Sequence, residues 1–293
     1  MSFDLHRFDR ALFKSIFVFS FWIFLNQITD LVNNQVPNFL LGMLASSSTV
    51  AVFSVAMQVR TVFVSMSLAM SNVFVPLINR IVASSDDSDR LTKLMTRVGR
   101  YQMILFCFVF GGFVIIGRYF IHLWAGDQNA DAYWLALMMI LPVGVDLVQN
   151  TGIEIQRARN RQKTRSAILV TTATLDVVIS IVLIPRLGYW ATAIGYVVGM
   201  VLGYGILMNL YYHFSMKLDM RYFWAKQVST LVLTVILTSV FVVLTHFSPV
   251  SSLSSFIVWG ALYSVAFTVS AWYAVLSVDE RNSIKNKLHL LRR

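Results

Sequence analysis

Between Arg157 and Arg165 every second residue is cationic (157, 159, 161, 163 and 165), and an apolar run of lipid-crossing length stands on each side. The same alternation of long apolar run and basic loop recurs along the chain. A run of roughly twenty apolar residues matches the hydrocarbon thickness of a bilayer as a helix. In lipid a chain must satisfy its own backbone polar groups, and helices do so within one segment. The pattern therefore predicts an all-α integral membrane protein.

Composition agrees. Of the 293 residues 57% are hydrophobic and 13% are charged, too few charges to cover a water-facing surface. The length suits one bundle of about eight spans, expected over 12–41, 49–80, 101–123, 132–155, 166–184, 189–212, 224–246 and 254–277. The first two runs exceed the needed length, so tilt or bending is expected, at Pro37 with Asn33, Asn34 and Gln35 in the first and at Pro76 in the second.

The net charge of +10 lies in the loops, which reads as topology and contact with anionic lipid rather than nucleic-acid binding. Of the 24 Lys and Arg, all but Arg60, Arg118 and Arg186 fall on one side of the eight-span arrangement. That bias predicts both termini in the cytoplasm. The segment 84–99 sets Asp86, Asp87 and Asp89 before a face of Leu91, Leu94, Met95 and Val98, and reads as a short amphipathic helix at the cytoplasmic interface. The lone Cys107 and five scattered histidines offer no disulfide and no metal site, and no cofactor motif is present.

Polar groups at lipid depth carry the functional expectation, because each is costly there unless paired or hydrated. Arg60 lies roughly 16 Å into the second span at helical rise, and Asp30 reaches a similar depth in the first. Two readings stand: Arg60 faces a hydrated cavity and attracts an anionic headgroup, or Arg60 and Asp30 form a structural pair. Gln27, Gln58, Asn26 and Asn34 would extend the polar wall. Asp146 and Asp176, on neighbouring antiparallel spans, read either as a proton or sodium relay or as carboxylates held by Thr172, Thr174, Gln149 or Asn150. Arg157, Arg159 and Arg161 read as phosphate contacts at the cytoplasmic mouth, or as topology alone. Gly195, Gly199 and Gly203 predict close helix packing.

Three stretches carry a family resemblance: IEIQRARNRQKTRS, then VVISIVLIP followed by RLGYWATAIGYVVG, then LMNLYYHFSMKLDMRYFW. VPNFLLGMLASSSTVAVFSVAMQVR, from Val36 to Arg60, fits with them. In order and spacing they resemble the polysaccharide-biosynthesis and O-antigen flippases of the MATE-like exporter superfamily. The resemblance is to the C-terminal bundle plus two trailing helices, so it implies a missing N-terminal half or a second copy as partner. It also implies translocation of a polyprenyl-pyrophosphate-linked oligosaccharide across the bacterial plasma membrane, with anionic lipids around the protein and no enzymatic step. The alternatives from other classes are a non-catalytic membrane scaffold and, less well matched to the short outer loops, a membrane-embedded polysaccharide polymerase or glycosyltransferase.

Overall fold

The computed structural model describes residues 10–276 and 280–281. Every regular element among them is helical. Helix α1 (Arg10–Leu44) runs without a break through Pro37. Helix α2 (Ser47–Asn72) starts at Ser46, whose hydroxyl accepts from the Thr49 N–H, and ends eight residues before the expected boundary at 80. The remainder forms a separate short helix, α3 (Val75–Ser84), in which Pro76 sits in the first turn, where no intrahelical N–H is needed. Pro76 therefore opens a helix instead of bending one.

Helix α4 (Ser88–Ala125) differs from the expectation most. Asp87 caps it by accepting from the Asp89 and Arg90 N–H groups, and the helix then runs 38 residues without interruption. From residue 88 the amphipathic segment 84–99 is continuous with α4, which at helical rise is about 57 Å long and so extends well beyond a hydrocarbon core of about 30 Å. Its apolar face is buried in protein, with Leu91, Met95 and Val98 all inside. At the other end Gly126, at φ +79°, turns the chain into α5 (Ala132–Val148).

Helices α5 and α6 (Asn150–Ala158) meet at Gln149 with a bend of 42°, the geometry of a broken span or of a re-entrant segment. Among the described residues seven helices are long and apolar enough to cross a membrane, and the bent pair counted as one span makes eight. It is a multi-pass membrane protein. Helix α7 (Gln162–Leu187) leads through Gly188, at φ +54°, into α8 (Tyr189–Met200). The latter continues as two π-helical stretches, Val201–Leu207 and Tyr211–Ser215, around the three-residue α9 (Met208–Leu210). Asn209 stabilises this wide turn: its Nδ2 donates to the Tyr204 and Gly205 carbonyls at 2.9 and 3.0 Å, while its Oδ1 accepts from Gln149 and Trp224. The chain closes with α10 (Met220–Ala225), α11 (Val228–Phe247) and α12 (Leu253–Ala274).

Apolar contact drives little association within lipid, so close backbone approach and interhelical hydrogen bonds hold the bundle. Helix α7 lies against α8 and α1, where Gly195, Gly199 and Gly203 bring α8 onto Asp176 and Thr172. Helices α11 and α12 lie against α4, with Tyr263 and Phe267 buried beside Phe108. Gln102 of α4 joins α2 by donating to Ser71 Oγ at 2.7 Å and to Ser67, and the Ser67 hydroxyl donates to the Leu147 carbonyl of α5.

At the end of the bundle that carries the basic loops, Arg159 ties three turns together. Its Nε donates to Asp86 Oδ1 at 2.6 Å, its Nη1 to the Met216 carbonyl at 2.7 Å and its Nη2 to Ser88 Oγ at 3.0 Å. The non-glycine residues with positive φ among those described are Asp86, Asn160 and Lys217, one in each of these turns.

A charged cleft inside the bundle

Along one side of α2 the bundle encloses a cleft of about 1380 Å³. Its polar wall comes from α1, α2, the bent α5–α6 span, the first turn of α7 and α8; its apolar wall comes from α4 and α12, with Phe113, Ile116, Phe120 and Phe256. The charged residues on it are Asp30, Arg60, Asp146, Glu154, Arg157 and Arg165. Three cations thus face three anions, so the cleft is mixed in charge and not simply basic.

Arg60 sits on this wall and is itself almost buried. Its Nε donates to Tyr196 Oη at 2.9 Å and its Nη1 to Asn34 Oδ1 at 3.1 Å, and the guanidinium lies over the Tyr196 ring, 4.8 Å from its centre. No direct ion pair joins it to Asp30 among the described residues, so the structural pair is replaced by a tyrosine and an amide. Asn34 in turn donates to the backbone carbonyl of Asp30, at 2.6 Å, and Asp30 lines the cleft. Gln58 lines the cleft as well; Gln27 is exposed and lies off it. Asn26 belongs to a different contact, where it donates to Gln162 and accepts from Ser166.

The two expected relay carboxylates are placed differently from each other. Asp146 lines the cleft together with Arg165, Asp30 and Arg60. Asp176 is buried off the cleft, between α7 and α8, and accepts from Ser180 Oγ at 3.2 Å. The hydroxyls expected to hold it, on Thr172 and Thr174, donate instead to their own helix backbone. Gln149 is likewise engaged elsewhere, with Asn209.

Of the three mouth arginines only Arg157 reaches the cleft, where Glu154 accepts from it at 2.6 Å. Arg159 is occupied at the three-turn junction, and Arg161 donates to the Ser215 carbonyl at 2.9 Å. Both are committed to backbone carbonyls and hold turns.

Arg165 closes the basic loop Arg157–Arg165 that the sequence offers as a phosphate clamp at the mouth, but it is not a mouth residue: α7 starts at Gln162, and this places Arg165 one turn inside the bundle, 7% exposed and on the cleft wall. The guanidinium lies 5.7 Å from the Tyr204 ring centre. The sequence carries no clear signal for it: Tyr196, Tyr204 and Tyr212 of the neighbouring span are all buried, but an eight-residue spacing turns about 80° per step in an α-helix and marks no single face.

Among the described residues no group of three or more His, Cys, Asp or Glu could hold a metal ion. Residues 4–134, a little under half of the chain, match the family described as "Polysaccharide biosynthesis protein". No curated protein and no solved structure matches the chain.

Proposed function

Starting from a membrane bundle whose residues 4–134 match the polysaccharide biosynthesis family, we propose that the chain translocates a lipid-linked, phosphate-bearing oligosaccharide across the bacterial plasma membrane, with both termini in the cytoplasm. The observation that carries this reading is the charged cleft: a volume large enough for sugar and phosphate, walled by Arg60, Arg157 and Arg165 within helices that otherwise face lipid. Buried cations at lipid depth are costly, and they are tolerated where they serve a hydrated path. The break at Gln149 bends a span beside the cleft, as in the discontinuous helices of transporters.

In this reading the phosphate headgroup meets Arg60 and the sugar lies along the Asn34, Gln58 and Asn150 face. Asp146 couples the cycle to an ion, because it is a carboxylate on the same cleft as Arg60 and Arg165. Asp176 acts through helix packing. The protein is a carrier and not an enzyme, and its partner is a matching six-span chain or a second copy.

Complementation tests this. The chain is expressed in a bacterium lacking its own O-unit flippase, alone and then with a matching six-span N-terminal half. Restored surface polysaccharide in either case supports translocation, and restoration only with the added half identifies the partner. Failure in both, across several hosts of different sugar structure and with the protein present in the membrane, would favour a scaffold.

A further inference from the structure

We propose that the first turn of α7 holds an anion subsite, built on Arg165 with the side-chain amides of Gln162 and Gln156, that takes a phosphate group separately from Arg60. The subsite deepens the proposed function and rests on it only for a role in transport.

Three buried donors lack acceptors there. Arg165 makes no hydrogen bond to the described residues, and its Nη1 is sealed from the surface without a partner among them. Gln162, 2% exposed, uses its Oε1 to accept from Asn26 at 3.4 Å, which leaves its Nε2 without an acceptor. Gln156, fully buried, accepts at Oε1 from Tyr212 at 3.5 Å, and its Nε2 is likewise unpartnered. A buried donor without an acceptor costs more than a made bond gains, so three in one region mark acceptors that arrive from outside the chain.

These donors belong together. Gln162 and Arg165 stand three residues apart on one helix face. Gln156 lies at the same helix start, because its backbone carbonyl accepts from the Arg161 N–H at 2.9 Å, one residue before α7 begins. The first N–H groups of α7, a helix of 26 residues, receive no side-chain cap from Arg161, so free backbone donors and the positive end of the helix dipole lie at the same place. A tetrahedral oxyanion with several acceptors fits such a set; a single carbonyl does not.

Arg60 is a different station, since its Nε and Nη1 already serve Tyr196 and Asn34. Asp146 and Asp30 line the same cleft as Arg165 without a direct ion pair to it. They balance it while the subsite is empty, so phosphate binding exchanges one set of anionic neighbours for a closer one.

The test measures binding to the purified full chain of two probes, inorganic pyrophosphate in detergent and polyprenyl pyrophosphate in lipid nanodiscs. The proteins are wild type, Arg165→Gln, Arg165→Lys, Gln162→Leu and the double variant Arg165→Gln/Asp146→Asn. The expected result is wild-type binding of one or both probes, weakened roughly ten- to hundred-fold by Arg165→Gln. Arg165→Lys and Gln162→Leu weaken it several-fold, and the double variant stays as weak as Arg165→Gln.

Binding of both probes assigns the subsite to phosphate as such, and binding of the lipid probe alone assigns it to a headgroup. Three results overturn the proposal: neither probe binds wild type, the variants bind as wild type does, or the double variant regains binding, which would make Arg165 only the counter-ion of Asp146. Where Arg165→Gln does not fold, Arg165→Lys and Gln162→Leu decide, and unchanged binding in both overturns it. A variant-sensitive subsite alongside failed complementation leaves the subsite standing and removes the translocation reading; complementation with variant-insensitive binding does the reverse.

Discussion

Arg60 shows how a single buried cation is held ready in an apolar bundle. Tyr196 and Asn34 fix its fork, and the Tyr196 ring lies under its charge. Replacing Arg60 by Ala should reduce surface polysaccharide in complementation by roughly tenfold or more while the protein remains in the membrane, because a hydrogen bond to a charged group contributes about 1.5–3 kcal/mol and Arg60 supplies several. Tyr196→Phe keeps the ring and drops one such bond, so its loss should be smaller; immunoblotting of membranes alongside the polysaccharide assay separates lost function from lost protein. Equal loss in both variants would mean that Tyr196 holds more than Arg60. Arg60, Asp30, Asn34 and Gln58 were legible in the sequence because polar side chains stand out in an apolar span. Arg165 was not, because a cation at a span boundary looks like a loop charge until the helix start is known.

At the scale of the element, helix α8 and its π-helical continuation carry the largest constraints. A Cβ built on Gly195 would lie 2.4 Å from Asp176 Oδ1 and 2.7 Å from the Asp176 carbonyl, whereas one on Gly205 meets nothing nearer than 3.9 Å. Gly195→Ala should therefore destabilise the α7–α8 pair by about 1–3 kcal/mol, as overpacking does. Gly205→Ala should be neutral or stabilising by up to about 1 kcal/mol through helix propensity. Thermal unfolding in detergent gives the order, and a Gly205 variant that melts below the Gly195 one would contradict this packing. Asn209→Leu removes the side chain that bonds two π-helix carbonyls, Gln149 and Trp224 together. The expected loss is at least about 2 kcal/mol, with a shift in Trp224 fluorescence that reports its freed N–H. The small-residue spacing of α8 was visible in the sequence. The π-helical turns were not, since they depend on which carbonyls a side chain from elsewhere in the helix can reach.

For the whole molecule, Arg159 joins the α3–α4, α6–α7 and post-α9 turns at the basic end, and each of those turns contains a non-glycine residue at positive φ. The Asp86 carboxylate is about half exposed, so Asp86→Asn should cost no more than about 1 kcal/mol. Arg159→Gln leaves the Met216 carbonyl without its donor and should cost about 2–3 kcal/mol. Limited proteolysis of membranes should then cut at 84–88, 158–162 or 215–219 faster in the Arg159 variant than in the Asp86 variant; equal rates would mean that the carboxylate, not the backbone carbonyl, fastens the junction. The same comparison separates this role from a phosphate contact, which Asp86→Asn would leave untouched.

The sequence by itself determined that the chain lies in a membrane, about how many times it crosses, and which loops share a side. Those properties follow from transfer of apolar and charged groups between water and lipid, which each residue carries with it. It also marked the polar residues whose burial needs a reason. Only the tertiary structure decided what each of them does, because pairing depends on which helices become neighbours. Arg60 went to Tyr196, 136 positions away, and not to Asp30; Asp146 stayed on the cleft while Asp176 was closed off by Gly195; and Arg159 was drawn to carbonyls of two distant turns. A charge at lipid depth takes the partner that packing brings within reach, and the span pattern does not specify that packing.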